Sequence, residues 1–188
     1  MFSPKMDHLV CFLPGTLALG YSEEAGGEGD GHLRLARQLM ETCYQMYERT
    51  GTGLAPEIVH FNTPDRRSDG SDDEEEEDMV IKVRDRHNIL RPETLESLYY
   101  LYWITRDQVY RDQAWAIFES FEEHSRVDRG GYAGLEDVTD VRSKRLNKME
   151  TFFVSESLKY LLMIFSEENP LPFDSFVLNT EAHAFPIK

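Results

Sequence analysis

An all-α protein with minor β connections is what this sequence predicts, on three observations. Apolar residues recur at helical spacing over five segments, no strand–helix–strand alternation occurs, and the strand-like stretches are short. The 188 residues suit one domain, and 40% hydrophobic with 12% aromatic residues suffice for a core, which excludes a disordered chain.

Residues 7–20 are mostly apolar and of helix length, with Pro14 and Gly15 expected to end or kink the helix. Over 32–49, Leu35, Leu39, Cys43 and Tyr47 recur every four residues opposite Arg34, Arg37, Gln38, Glu41 and Gln45, an amphipathic helix stopped at Gly51 and Gly53. Residues 57–61 form a short β-like connector. Pro92 stands in the first turn of the next helix, where a missing N–H costs nothing, ahead of Glu93, Glu96 and the aromatic run Tyr99, Tyr100, Tyr102 and Trp103. Asp107 caps a fourth helix running to about His124, and Gly130, Gly131 and Gly134 break 126–140 into a connection. Residues 148–166 are apolar nearly all round and call for neighbours on several sides. Asn169, Pro170 and Pro172 end that helix, and 176–186 read as two short strands about Asn179, Thr180 and Glu181.

Thirty-five acids against 20 bases give a net charge of −15. Residues 22–30 carry −4 and 65–78 carry −7, so the other 165 residues carry only −4, and the two acidic stretches read as solvated loops between structured elements. The run 72–78 lacks the turn-forming glycine and spaced ligands of a calcium loop. With no basic stripe interleaved with aromatics, nucleic acid is a poor partner, as is an anionic membrane surface. No run of 18 apolar residues and no signal-peptide pattern occurs, so the chain carries no membrane segment of its own. Cys11 and Cys43 allow one disulfide, and two free thiols stand equally open.

Carboxylates in apolar company are the chemical signal. Glu93 and Glu96 share one helical face, where they either complement the helix dipole or, if the face is interior, raise one another's pKa as general acid and base for a glycosidic bond. Glu156 sits amid the most apolar segment and must be paired, hydrogen-bonded or turned to a wet cavity. His8 and His183 have no companion at metal-ligand spacing, so zinc is not indicated, and the aromatics read as core.

Five blocks carry a resemblance: DHLVCFLPGTLALG at 7–20, GLAPEIVHFN at 53–62, LRPETLESLYYLY at 90–102, KMETFFVSESLKYLLMIFS at 148–166 and VLNTEAH at 177–183. In order and spacing the sequence resembles glycoside hydrolase family 47, the class I α-1,2-mannosidases. The resemblance implies an (α/α)7 barrel closed by a C-terminal β-hairpin beside a calcium ion. Five helices are too few for that ring, so residues 1–188 are expected to be the C-terminal portion of one catalytic domain, with acidic loops at 22–30 and 65–78.

The implied activity is calcium-dependent, inverting hydrolysis of terminal α-1,2-linked mannose from high-mannose N-glycans. Glu93 matches the base candidate and Glu57 a second catalytic acid; His8, Arg91, Glu96, Phe152, Glu156 and Glu181 match substrate-pocket residues. Thr180 matches the direct calcium ligand, and Cys11 and Cys43 match a disulfide. Two further family acids fall before Met1, which puts turnover by these 188 residues alone in question and leaves a non-catalytic glycan- or partner-binding helical module as the alternative. The expected location is an endoplasmic-reticulum or Golgi lumen, with a membrane anchor upstream.

Overall fold

The computed structural model describes residues 3–23, 29–62 and 78–188. Five α-helices carry it: α1 Leu13–Glu23, α2 Gly29–Glu48, α3 Glu93–Thr105, α4 Val109–Ser120 and α5 Leu158–Ile164. A 3-10 turn, His8–Phe12, leads into α1, while π turns extend α4 at Phe121–Ser125 and precede α5 at Phe153–Ser157. Three antiparallel strands in the order β1-β2-β3 join β1 Lys5–Asp7, β2 Ile58–Phe61 and β3 Met79–Val80. Strands β4 Phe176–Leu178 and β5 Ala184–Pro186 pair as the expected hairpin. The helical fold class read from the sequence is the one observed.

Helix α3 is the hub, because ETLESLYYLYWIT offers almost no polar face beyond its first turn. Thr94, Leu95 and every residue from Ser97 to Trp103 are buried, and α1, α2, α4 and α5 all touch the helix. It ends where Arg106 turns left-handed and donates its N–H to the Tyr102 carbonyl at 2.7 Å. Helix α1 lies so close that a Cβ on Gly15 would stand 2.9 Å from the Tyr100 ring and 3.1 Å from Ser97 Cα. The Gly15 N–H donates to Ser97 Oγ at 2.9 Å, and the Ser97 hydroxyl donates onward to the Cys11 carbonyl. A Cys11–Cys43 disulfide, Cα atoms 5.8 Å apart, ties this corner to α2.

On the far side of α3, Trp103 Nε1 donates to the Met163 carbonyl at 3.1 Å. Arg111, stacked over Tyr102, donates to the carbonyls of Ile164 and Ser166 at 2.8 Å each, satisfying groups that the end of α5 leaves free. Tyr99, Tyr100, Tyr160 and Phe173 form one cluster of rings between α3, α5 and the segment that follows α5.

Several expectations shift. Pro14 and Gly15 begin a helix instead of ending one: the change of helix type falls at Leu13, and Pro14 takes the first turn, where no N–H is needed. The buried stripe of α2 runs through Ala36, Met40, Cys43 and Tyr47, while Leu35 is 45% exposed. A period of 3.6 drifts away from a strict four-residue repeat, so Leu35 rotates outward. The most enclosed helix is α3, while in the 148–166 segment Leu162 is 73% and Val154 55% exposed. Among the described residues nothing packs over that face. Of the acidic stretch 22–30, the ends belong to α1 and α2 and 24–28 lie outside the described residues; of 65–78 only Asp78 is described, paired with Arg49. Among the described residues no helix is long and apolar enough to cross a membrane.

Candidate active site

The sheet delivers the first two site residues. Asp7 pairs with Ile58, so His8, which follows β1, meets Glu57, which precedes β2, and the His8 N–H donates to the Glu57 carbonyl at 2.9 Å. Arg91 Nε stands 2.9 Å from each Glu57 carboxylate oxygen, and Arg91 Nη1 lies 3.7 Å from Glu93 Oε1. The other Glu93 oxygen, Oε2, is 3.0 Å from His8 Nδ1. His8 Nε2 is 2.7 Å from the Tyr47 hydroxyl, with Thr94 Oγ1 at 3.3 Å. Burial raises the Tyr47 hydroxyl well above the ordinary tyrosine value and keeps it neutral beside Nε2, while the Glu93 carboxylate, which can only accept, receives the N–H of His8 Nδ1.

Over Glu93 opens a cavity of about 410 Å³. Glu93, Glu96 and Glu156 line it, Asn179 and Thr180 enter from the β4–β5 hairpin, and Leu9 and Phe12 form an apolar wall. The three acids differ. Burial alone would raise Glu93, but the His8 hydrogen bond and charge, a backbone hydrogen bond and the more distant Arg91 outweigh it and hold the group below the usual range. Glu96 is pushed up to about 7, first by burial and then by repulsion from Glu93 and Glu156. Glu156 also rises to about 7, through burial and repulsion from Glu181 and Glu93, against the pull of Lys159. The mutual raising expected of Glu93 and Glu96 is therefore one-sided, because of these two only Glu93 has cationic neighbours, His8 and Arg91.

The structure thus joins His8, Glu57, Arg91, Glu93, Glu96, Glu156 and Thr180 in one site. His8, Arg91 and Glu57 lie behind the lining, the first two reaching it through Glu93 and Glu57 through Arg91. Glu181 is exposed and reaches the cavity only through its charge on Glu156, while Phe152, half-buried, does not line the space. Sequence reading missed Thr94, Phe12 and the second role of Tyr47, which it placed in the core. Helical spacing could have found two of them: Phe12 falls four residues after His8, and Thr94 lies between the two acids.

The donor set suits a hard divalent cation bound largely through water. Among the described residues no three His, Cys, Asp or Glu converge as direct ligands. What converges is oxygen: the exposed Thr180, mutually repelling carboxylates, and the buried Tyr160 hydroxyl beside Glu96 and Glu156. Calcium accepts such oxygen shells with several waters.

Residues 1–187 match the family described as glycosyl hydrolase family 47. The chain is 53% identical to a mannosyl-oligosaccharide 1,2-alpha-mannosidase of Arabidopsis thaliana, covering 100% of this chain and 32% of that protein. It is 51% identical to the endoplasmic reticulum mannosyl-oligosaccharide 1,2-alpha-mannosidase of Homo sapiens, covering 99% of this chain and 26% of that protein. The solved structure of an alpha-1,2-mannosidase from Trichoderma reesei superposes with a TM-score of 0.83 at 29% identity, over 99% of this chain and 40% of that one. The chain therefore spans a third or less of the length of these two curated relatives. The family model, the relatives and the fold agree with the resemblance carried by the five sequence blocks: the chain belongs to glycosyl hydrolase family 47.

Proposed function

We propose that this chain forms the acid-bearing C-terminal part of an enzyme that hydrolyses terminal α-1,2-linked mannose from high-mannose N-glycans with inversion, in a calcium-dependent manner. The observation that carries the reading is the split among three carboxyls on one cavity, Glu93 held ionised while Glu96 and Glu156 sit near 7. Glu93 accepts the proton of the attacking water, and His8 keeps its carboxylate aimed and charged. Glu57 fixes Arg91, and Arg91 orients Glu93 from the other oxygen. An inverting step needs its acid on the far side of the sugar, with room for water between the two groups, so the partner acid comes from another part of the complete polypeptide.

Thr180 would hold the calcium directly, and Glu96, Glu156 and Glu181 would hold its waters and the sugar hydroxyls. Bound calcium would supply an anchor for two adjacent mannose hydroxyls. Phe152 is proposed to pack on the sugar. The names of the relatives and the disulfide support an endoplasmic-reticulum lumen, while a Golgi lumen and an anchor upstream are proposed from the family resemblance alone.

The test is Glu93→Gln in the complete polypeptide. Mannose release from a high-mannose N-glycan should fall on the order of 10³-fold while the calcium-dependent thermal shift persists; release at the unmutated rate refutes the assignment. The alternative is glycan binding without turnover. Calcium-dependent glycan retention by these 188 residues without release would support it, and mannose release by them would exclude it.

A further inference from the structure

Two residues beside the cavity adopt a left-handed backbone without being glycine: Leu90, φ 68°, directly before Arg91, and Ala182, φ 56°, directly after Thr180 and Glu181. L side chains avoid that region, so such residues persist only where surrounding contacts over-determine them. Both are fully buried. The Leu90 N–H donates to Asn88 Oδ1 at 2.9 Å, and its carbonyl accepts from Ser157 Oγ at 2.8 Å. The Ala182 N–H donates to the Asn179 carbonyl at 3.0 Å, and its carbonyl accepts from Lys159 Nζ. Both carbonyls are therefore held from one short stretch, Ser157 closing the π turn Phe153–Ser157 that contains Glu156 and Lys159 standing at the start of α5.

We propose that Ser157 and Lys159 are positioning residues, a pair of clamps from one helical turn that fixes the two left-handed backbone points and thereby sets the spacing between the Arg91–Glu93 wall and the Thr180–Glu181 hairpin. The proposal rests on the hydrolase reading for its consequence in turnover. Ser157 is completely buried and makes no other side-chain hydrogen bond among the described residues, so its hydroxyl is committed to Leu90. Lys159 could instead serve by charge alone, neutralising Glu156. The two roles predict opposite signs. Removing a cation beside a cation site tightens calcium binding through electrostatics, whereas releasing the hairpin weakens it.

The experiment uses the complete polypeptide with Ser157→Ala, Ser157→Thr, Lys159→Met and Lys159→Arg. Ser157→Ala should lower kcat about tenfold with the calcium concentration for half-maximal thermal stabilisation unchanged, and Ser157→Thr should recover most of the loss. Lys159→Met should raise that calcium concentration about tenfold, and Lys159→Arg should restore it. Tighter calcium binding by Lys159→Met, or losses that merely track the unfolding midpoint, would overturn the clamp. Amide hydrogen exchange decides the matter independently: Ser157→Ala should speed exchange over residues 88–93 only, and Lys159→Met over 179–183 only. An unmutated protein that neither releases mannose nor responds to calcium would defeat the functional reading, while those exchange patterns would still confirm or refute the clamps.

Discussion

The two walls of the cavity are built differently. On the inner wall, His8 is 2% exposed, and Glu57, Arg91, Glu93, Tyr47 and Thr94 form a continuous chain of partners around it. On the hairpin wall, Thr180 and Glu181 are exposed, and among the described residues no protein group bonds the Thr180 hydroxyl. Asn179 shapes this turn by accepting the N–H groups of Glu181 and His183 at 3.0 and 2.8 Å. One wall is thus preorganised by protein atoms, as a group that must hold one charge state requires, and the other keeps its oxygens free for a ligand. Damage to the inner wall should cost fold and chemistry together, whereas damage to the hairpin should cost ligand response first.

The largest effect should come from Cys43→Ser. The disulfide closes a loop of sequence separation 32, and Cys11 lies three residues beyond His8. Loss of roughly 3–4 kcal/mol is expected in denaturant unfolding; a loss well under 1 kcal/mol would mean that the inner wall does not lean on this tie. Next comes pH. Glu96 and Glu156, ordinarily near 4.5, titrate near 7 in the fold, so the folded state binds their protons more tightly than the unfolded state does. Their stabilising contribution is complete below about 4.5 and is lost as pH rises through about 7, on the order of a few kcal/mol in total. Glu93 works oppositely, but its window lies below 4.5 and does not mask the slope. Without calcium, the unfolding midpoint should fall between pH 4.5 and 8 and flatten when calcium is added. A rise over that window would contradict the charge arrangement. Gly15→Ala should follow, costing about 1–3 kcal/mol by driving α1 off Tyr100 and Ser97, with the calcium response unchanged.

Much of this was legible because local chemistry and fold agree. The β4–β5 hairpin and the helix opened by Pro92 follow from residue types whose preferences the structure obeys. Glu156 was legible as a buried acid needing company, and Tyr47 only as part of a stripe. What single residues could not supply was pairing across distance. His8 and Glu57 are 49 positions apart and meet through strand register, and Arg91 spends its guanidinium mainly on Glu57, 34 positions away. The backbone at Leu90 and Ala182 was invisible too, since neither residue type announces a left-handed conformation. The apolar circumference of the 148–166 segment states a need for neighbours, and among the described residues those neighbours are missing on the Leu162 side.

The smallest change in stability should come from Asn179→Ala, and it separates the two walls most cleanly. The lost side chain leaves two N–H groups on an exposed turn, where water replaces the carbonyl of Asn179, so the unfolding cost should be about 1 kcal/mol or less. Thr180 and Glu181 lose the bonds that fix their backbone, so the calcium concentration for half-maximal thermal stabilisation should rise severalfold. Glu93 should be untouched, because its partners His8 and Arg91 come from the 3-10 turn after β1 and the turn before α3, neither of which bonds Asn179. If this substitution instead destabilised the protein as much as Cys43→Ser, the hairpin would be a structural prop, and the contrast between a preorganised wall and a receptive one would fail.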